Sequence, residues 1–217
     1  MAAIYARKGR EAVISVEEAR QHYQGSDAIH DFDHVQRVLA LAERLAKAEG
    51  ADLEIVRTAG LLHDMARGQE GDPPADHAQL GAEMARRLLV GHPVEKVEAV
   101  AHAIAAHRFR TGPQPETLEA RVLHDADKLD AIGAIGVARA FAYGGHVGQR
   151  LWAEVSADYR EGPATAGEHT PVHEYEIKLV QIRERLLTQS ARHIAEERHA
   201  FMVDFFKRLE REVRGLD

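Results

Sequence analysis

Apolar residues recur at the spacing of one helical face along almost the whole chain. The clearest stripe follows the i, i+3, i+4, i+7 spacing of an amphipathic helix and consists of Val35, Val38, Leu39, Ala42, Leu45 and Ala46. It predicts a helix from about Asp31 to Glu49, which Gly50 ends. Convincing alternation of apolar and polar residues, the pattern of a half-buried strand, is absent from the sequence. We therefore predict an all-α fold.

Similar stripes predict further helices in the first two thirds of the chain. Asp52 is placed to cap the second helix, which we expect to end near Gly68. The next three helices are expected over about 76–89, 93–107 and 116–128. The segment Ile132 to Tyr143 is also helix-like, although Gly133 and Gly136 indicate the close approach of another backbone or of a ligand.

The remainder of the chain divides into a glycine-rich segment and a helical region. Gly144 to Thr170 predicts a long loop or lid, whereas Glu174 to Leu187 and Ala191 to Arg214 each predict a helix. We therefore expect a single domain with a C-terminal helical extension. Its expected parts are an N-terminal segment (1–25), a helical core that carries the site (26–143), the loop or lid (144–170) and C-terminal helices packed on the core (171–217).

Composition narrows the class of protein. The chain has 217 residues, and its 28 Lys and Arg against 35 Asp and Glu give a net charge of −7, which argues against a nucleic-acid polymer as partner. No apolar run approaches the roughly 20 residues that span a membrane. The first residues lack the apolar stretch of an export signal, and cysteine is absent. We expect a cytoplasmic protein with no membrane partner, no disulfides and no thiolate chemistry.

Histidine is the unusual residue of this chain, with 14 copies. Two of them, His34 and His63, lie on or beside apolar helical stripes, and so do the acidic residues Asp64 and Asp127. Burying unpaired carboxylates costs a large free energy, and a divalent cation held by all four side chains removes that cost. His63 taken alone also fits a core histidine that is hydrogen-bonded to a neighbouring carbonyl. The four residues together predict a metal site.

This set of ligands indicates the kind of reaction. Two imidazoles and two carboxylates suit Mn, Mg, Fe, Ni, Co or Zn, and on a six-coordinate ion they leave two positions open. A water molecule, whose pKa the metal lowers, and a phosphoryl oxygen, which the metal polarises, can occupy those positions. The sequence therefore predicts hydrolysis of a phosphate ester or a phosphoanhydride.

Several motifs carry a resemblance to a known family. They are HDFDH over His30 to His34, AGLLHD over Ala59 to Asp64, DADKLDAIGAIG over Asp125 to Gly136, and AEERHAFM over Ala195 to Met202. With these motifs the chain resembles the HD-domain superfamily of metal-dependent phosphohydrolases, and within it the small single-domain bacterial proteins of the YedJ and YpgQ type. The likeness runs from about Asp27 to Glu212.

The resemblance implies an HD-domain helical bundle whose metal ligands are His34, His63, Asp64 and Asp127. Manganese is the first candidate for the ion. A small-molecule nucleotide is the implied substrate, and pyrophosphohydrolysis of a nucleoside triphosphate is the first candidate reaction. The alternatives are a nucleoside monophosphatase, a cyclic-nucleotide or guanosine-tetraphosphate hydrolase, a non-catalytic metal- or nucleotide-binding sensor, and a structural helical adaptor. Both a monomer and a homodimer remain open.

A phosphate-binding group is expected around this site. We predict that Arg67, about one turn after His63, binds phosphate and acts in catalysis together with Asp64; the alternative for Arg67 is a solvated residue at a helix end. His77 and His107 resemble positions that bind phosphate or additional metals in some HD enzymes, so we predict that both bind substrate. For His77 the alternative is a residue in the capping region of its helix.

Five further residues are candidates on weaker grounds. We predict that Asp130 acts in catalysis by orienting the attacking water or accepting its proton, and that Lys128 binds the anionic substrate; either residue alternatively forms a structural ion pair. Asp31 is expected to hydrogen-bond the imidazole three residues later, or alternatively to be a carboxylate at a helix start. Arg139 and Tyr143 are expected to contact the non-reacting part of the substrate, and the alternative for both is a core or surface position.

Overall fold

The structure is a computed structural model that describes residues 13–23, 32–67, 76–108, 112–160, 162 and 167–216. Within these ranges every regular element is a helix and no strand occurs, which confirms the predicted all-α fold. In chain order the α-helices are α1 (Val16–Arg20), α2 (Phe32–Glu49), α3 (Leu53–Leu62), α4 (His77–Leu88), α5 (Val94–Ala105), α6 (Leu118–Asp130), α7 (Gly133–His146), α8 (Pro171–Ile177) and α9 (Gln189–Val213). A 3₁₀ helix (Leu179–Arg185) lies between α8 and α9.

Helix α3 begins as predicted and ends earlier than predicted. The carboxylate of Asp52 accepts a hydrogen bond from the second residue of α3, Glu54, at 2.8 Å, so Asp52 is the N-cap. The helix ends at Leu62 rather than near Gly68, which lies outside the described residues. Residues 63–67 form turns instead.

Side-chain donors form hydrogen bonds with the backbone carbonyl groups in the last turn of α3. In a continuing α-helix each carbonyl accepts a hydrogen bond from the N–H four residues later. Here the Tyr23 hydroxyl donates to the carbonyl of Leu61 at 2.9 Å, and His63 Nδ1 donates to the carbonyl of Gly60 at 2.9 Å. The backbone leaves the helix where these carbonyls have side-chain donors, and Asp64 lies in the turn that follows.

The chain divides into two compact units, Met1–Asp127 and Lys128–Asp217, whose boundary falls within α6. In the first unit α2 packs on α3, α3 on α5, and α4 on α5. The apolar stripes that predicted these helices supply the core, and its fully buried members include Val35, Val38, Leu45, Val56, Leu62, Ile104 and Leu123. Burial of these stripes against each other stabilises the first unit.

The described part of the N-terminal segment contacts α3. The backbone N–H of Val13 donates to the hydroxyl of Thr58 at 3.2 Å, and Ser15 caps the short α1. Tyr23 also packs edge-on against Phe32, with 5.4 Å between the ring centroids. Residues 13–23 therefore belong to the first unit.

Aromatic side chains of three helices pack together in the second unit. Tyr175 stacks on Phe206 with 4.0 Å between the ring centroids, and Phe206 also contacts Phe141 and Phe205. These contacts join α7, α8 and α9. Within the described ranges, no helix combines enough length with a sufficiently apolar sequence to cross a bilayer.

Two boundaries in the second unit differ from the prediction. The single helix expected from Glu174 to Leu187 is wrong, because the backbone breaks at Lys178, with φ −134° and ψ −57°, and continues as the 3₁₀ helix. That tighter helix places Leu179 and Ile182 on one face, and both are buried. Helix α7 continues to His146, and the described residues between it and α8 contain no regular helix. A role of this segment as a lid stays a prediction.

The two glycines of α7 lie where other groups approach closely, as predicted. A Cβ on Gly136 would lie 2.2 Å from the carbonyl oxygen of Ala131. Gly133 has a positive φ of +77°, and a Cβ there would lie 2.9 Å from Cγ of Arg198. The guanidinium of Arg198 donates to the carbonyl of Leu129, so its side chain is held in this position. Only glycine fits either site without a shift of its neighbours.

We expect Gly136→Ala to lower the free energy of unfolding by about 1–3 kcal/mol, because the added methyl group forces a backbone carbonyl to move. Gly145→Ala is the matched control in the same helix, since a Cβ there meets nothing within 4 Å. It is expected to leave stability unchanged or to raise it by up to about 1 kcal/mol. Urea denaturation of both variants measures the difference. Equal stabilities would show that Ala131 adjusts freely.

Candidate metal centre

The four predicted ligands come from the ends of three helices. His34 lies in the first turn of α2, His63 is the C-cap of α3 with Asp64 directly after it, and Asp127 lies in the last turn of α6. His34, His63 and Asp64 are buried, and the side chain of Asp127 is 18% exposed. The ends of three helices and the turn after α3 thus hold all four side chains.

The nitrogen and oxygen atoms of these side chains converge. The Nε2 atom of His34 lies 3.4 Å from Nε2 of His63, 3.4 Å from Oδ1 of Asp127 and 3.8 Å from Oδ2 of Asp64. His63 Nε2 is also 3.8 Å from the same oxygen of Asp64. Ligand atoms about 2.0–2.2 Å from one ion lie roughly 3–4 Å from one another, so this arrangement fits a divalent cation.

Hydrogen bonding and burial prepare these groups for a cation. Since His63 Nδ1 donates to the carbonyl of Gly60, the lone pair of Nε2 points towards the other ligands. Burial lowers the pKa of His63 to about 4, which keeps its imidazole neutral. Burial acts to raise the pKa of Asp64, but contacts with His63, His107 and Arg67 outweigh it and hold that pKa well below the usual range. Neutral imidazole and ionised carboxylate are the forms that bind metals.

The second oxygen of Asp64 faces another group of residues. Asp64 Oδ1 lies 3.5 Å from Nε2 of His107 and 3.6 Å from Nε2 of His77, and both histidines are buried. His107 Nδ1 donates to the carbonyl of Ile104 at 2.6 Å, which turns its Nε2 towards Asp64. Asp64, His77 and His107 thus form a second cluster with metal-ligand spacing. Burial, and next the charge of Arg67, lower the pKa of His77 to about 4.

Arg67 contacts both oxygens of Asp64. Its Nε donates to Oδ2 at 3.0 Å and its Nη2 to Oδ1 at 3.4 Å, and Nη2 lies 3.5 Å from Nε2 of His77. One third of its side chain is exposed, so the guanidinium reaches from the buried carboxylate to solvent. The structure therefore brings Arg67, His77 and His107 together around Asp64, although Arg67 arrives there through a turn and not through a continued helix.

Comparison with known proteins agrees with this geometry. Residues 31–132 match the family model of the HD domain. The chain is also 34% identical to the uncharacterized protein YpgQ of Bacillus subtilis over 192 residues, which are 87% of this chain and 86% of YpgQ. The chain belongs to the HD-domain superfamily of metal-dependent phosphohydrolases.

Solved structures of HD-domain proteins share the fold. The crystal structure of Bacillus subtilis YpgQ in complex with ADP superimposes with a TM-score of 0.72 at 32% identity, covering 94% of this chain and all of the other. An HD-superfamily hydrolase from Bacillus thuringiensis gives a TM-score of 0.69 at 27% identity, covering 92% of this chain and 94% of the other. Both similarities extend well beyond the residues that match the family model.

The remaining predicted site residues of this HD-domain protein lie in the second unit or outside the described residues. Asp130 is buried and accepts a hydrogen bond from Nη1 of Arg139 at 2.9 Å, which favours the ion-pair alternative for Asp130. Lys128 lies half-buried in the last turn of α6, and the side chain of Tyr143 is about half exposed on α7. Asp31 lies outside the described residues. The functional roles given to these five residues stay predictions.

Two features of the site escaped the sequence analysis. His124, about one turn before Asp127, hydrogen-bonds through Nδ1 to the buried carboxylate of Asp125 at 2.9 Å. The hydroxyl of Tyr23 donates to the carbonyl of Leu61, in the last turn of α3. Burial, and next the charge of Asp64, raise the pKa of Tyr23 well above its usual range, so its hydroxyl stays protonated. Neither residue lies on a stripe or in a motif that signals such a contact.

Proposed function

We propose that this HD-domain protein hydrolyses a phosphoanhydride or phosphoester of a nucleotide, with manganese as the first candidate ion. The observation that carries the proposal is the position of Asp64. One of its carboxylate oxygens faces His34 and His63, and the other faces His77 and His107. A single carboxylate thus joins a group suited to a cation with a group suited to an anion or a second cation.

Each group has a distinct part in the proposal. His34, His63, Asp64 and Asp127 would hold the cation, whose bound charge lowers the pKa of water and polarises a phosphoryl oxygen. Arg67 supplies a planar guanidinium that binds two phosphate oxygens at once and neutralises the charge that develops on them.

His77 and His107 allow two roles. As neutral imidazoles they hold a second cation together with Asp64, and as N–H donors they hold a phosphate oxygen. The number of cations bound per chain decides between these roles. Two cations per chain support the first role, and one supports the second.

The proposal of a nucleotide substrate is supported by the relative that has been crystallised with ADP. Within that class, a nucleoside triphosphate pyrophosphohydrolase is our first candidate. A nucleoside monophosphatase and a cyclic-nucleotide or guanosine-tetraphosphate hydrolase are the alternatives, because the same metal centre suits each of them. The proposal leaves the oligomeric state open between monomer and homodimer.

We expect the metal-free protein to be inactive and to hydrolyse nucleoside triphosphates once Mn²⁺ is added, with release of pyrophosphate. The test incubates it with nucleoside mono-, di- and triphosphates, cyclic nucleotides and guanosine tetraphosphate, with Mn²⁺, Mg²⁺, Co²⁺, Ni²⁺ or Fe²⁺ in turn. Phosphate and pyrophosphate are measured separately, and the double variant with His63→Ala and Asp64→Ala is the blank. Phosphate alone from monophosphates supports the phosphatase alternative. Nucleotide-induced stabilisation without turnover supports the sensor, and absence of stoichiometric metal supports the structural adaptor.

A further inference from the structure

Tyr23 lies far in sequence from the turn that carries the proposed metal ligands His63 and Asp64, but its side chain contacts the backbone beside that turn. It is half-buried, and its hydroxyl donates to the carbonyl of Leu61, 38 positions along the chain. The phenol oxygen therefore contacts the backbone two residues before His63.

The contact with Leu61 replaces a hydrogen bond that would continue α3. In a continued helix the carbonyl of Leu61 would accept from the N–H of Met65. Met65 instead donates to the carbonyl of Leu62 at 3.2 Å, and the carbonyl of Leu61 accepts from Tyr23. The phenol thus fills the break in the helical ladder, much as a capping side chain does at a regular helix end.

The break lies next to the site. His63 keeps helical backbone angles, with φ −60° and ψ −35°, so the backbone departs from the helix only after it. Nε2 of His63 and Oδ2 of Asp64 lie 3.8 Å apart. The backbone that follows the Tyr23 contact therefore carries two adjacent side chains whose polar atoms converge.

We propose that Tyr23 is a positioning residue of the metal centre, and that its hydroxyl holds the Leu61–Asp64 backbone in the turn that directs His63 and Asp64 towards a common cation. The inference rests on the proposed function. Tyr23 itself contacts backbone atoms and no reacting group. Its ring packs on Phe32, and the guanidinium carbon of Arg20 lies 4.2 Å from the centroid of the Phe32 ring. The ring is thereby held in place independently of its hydroxyl.

Tyr23→Phe removes only the hydroxyl and keeps the ring contact. We expect the variant to bind Mn²⁺ about tenfold more weakly and to show a kcat about tenfold lower, because residues that orient metal ligands typically contribute 10- to 100-fold. At saturating Mn²⁺ the KM for the nucleotide should stay within about twofold, since Tyr23 does not contact the substrate. Calorimetric titration with Mn²⁺ and steady-state kinetics measure these quantities.

Two further variants separate positioning from a general structural role. Tyr23→4-aminophenylalanine retains an N–H donor at the same ring position and should restore most of the Mn²⁺ affinity. Tyr175→Phe removes the hydroxyl from an aromatic residue stacked on Phe206 in the second unit and should change neither Mn²⁺ affinity nor kcat. Circular dichroism confirms that each variant is folded.

The outcomes distinguish this inference from the proposed function. Unchanged Mn²⁺ affinity and kcat in Tyr23→Phe would overturn the inference, and so would a variant that fails to fold or an aminophenylalanine variant that restores nothing. A wild-type protein that binds Mn²⁺ without turnover would contradict the proposed hydrolase, while the Mn²⁺ affinities would still test Tyr23. A wild-type protein that binds no cation would overturn both.

Discussion

Asp64→Asn is expected to weaken cation binding by more than about 100-fold and to reduce kcat/KM by at least as much. Residues that merely orient metal ligands already contribute 10- to 100-fold, and Asp64 faces both clusters directly. The substitution preserves the size of the side chain, removes its charge and replaces one acceptor oxygen by an NH2 donor. Stabilisation by the cation should fall as well, from about 2.7 kcal/mol for the wild type at a cation concentration 100 times its Kd to about 0.4 kcal/mol or less at the same concentration.

Calorimetric titration and thermal unfolding with and without Mn²⁺ test this prediction. Asp33→Asn is the matched control, because it removes an exposed carboxylate from the first turn of α2, directly beside His34. The control should retain cation binding, turnover and the shift in Tm. Undiminished binding in Asp64→Asn would show that the ion is held by other residues.

Arg67→Ala is expected to lower kcat/KM by about 100- to 1000-fold, the usual effect of removing one donor that stabilises a developing negative charge. Arg67→Lys should recover only a small part of the lost kcat/KM, since an ammonium group cannot bind two phosphate oxygens in one plane. Cation affinity should be unchanged or higher in both variants, because the guanidinium lies 3.0 Å from Asp64 and its charge opposes a cation there. Steady-state kinetics at saturating Mn²⁺ and calorimetry give these values.

Arg86→Ala supplies the control for Arg67. Arg86 also forms an ion pair with a carboxylate, Glu98, at 2.8 Å, but it lies exposed on α4 and outside the site. Its removal should leave kcat/KM and cation affinity unchanged, since exposed ion pairs contribute little. If Arg67→Ala retained full activity, Arg67 would be a structural partner of Asp64 only.

Local patterns in the sequence predicted most of the helices. The stripe expected from about Asp31 to Glu49 corresponds to α2 (Phe32–Glu49), and Asp52 caps α3 as predicted. The same patterns brought His34, His63, Asp64 and Asp127 to helix ends. Polar residues on apolar stripes must find partners once the helices pack, so burial favours their convergence.

What the sequence did not reveal depends on contacts between distant residues. The early end of α3 coincides with the hydrogen bond from Tyr23, which is 38 positions away from Leu61, and no local periodicity encodes such a contact. The position of Asp64 between two groups likewise depends on the turn geometry. Neither glycine nor proline marks the break at Lys178 in the sequence. The break occurs where Leu179 and Ile182 become buried.

The shared carboxylate of Asp64 makes binding of cation and anion interdependent in the proposed enzyme. Without a cation, Arg67 is engaged by the negative charge of Asp64. A cation that neutralises this carboxylate releases the guanidinium for phosphate, so the metal strengthens nucleotide binding. Thermodynamic reciprocity then requires that the nucleotide strengthen metal binding by the same factor. At the metal concentrations of a cell, the presence of substrate would itself help to load the enzyme with its ion.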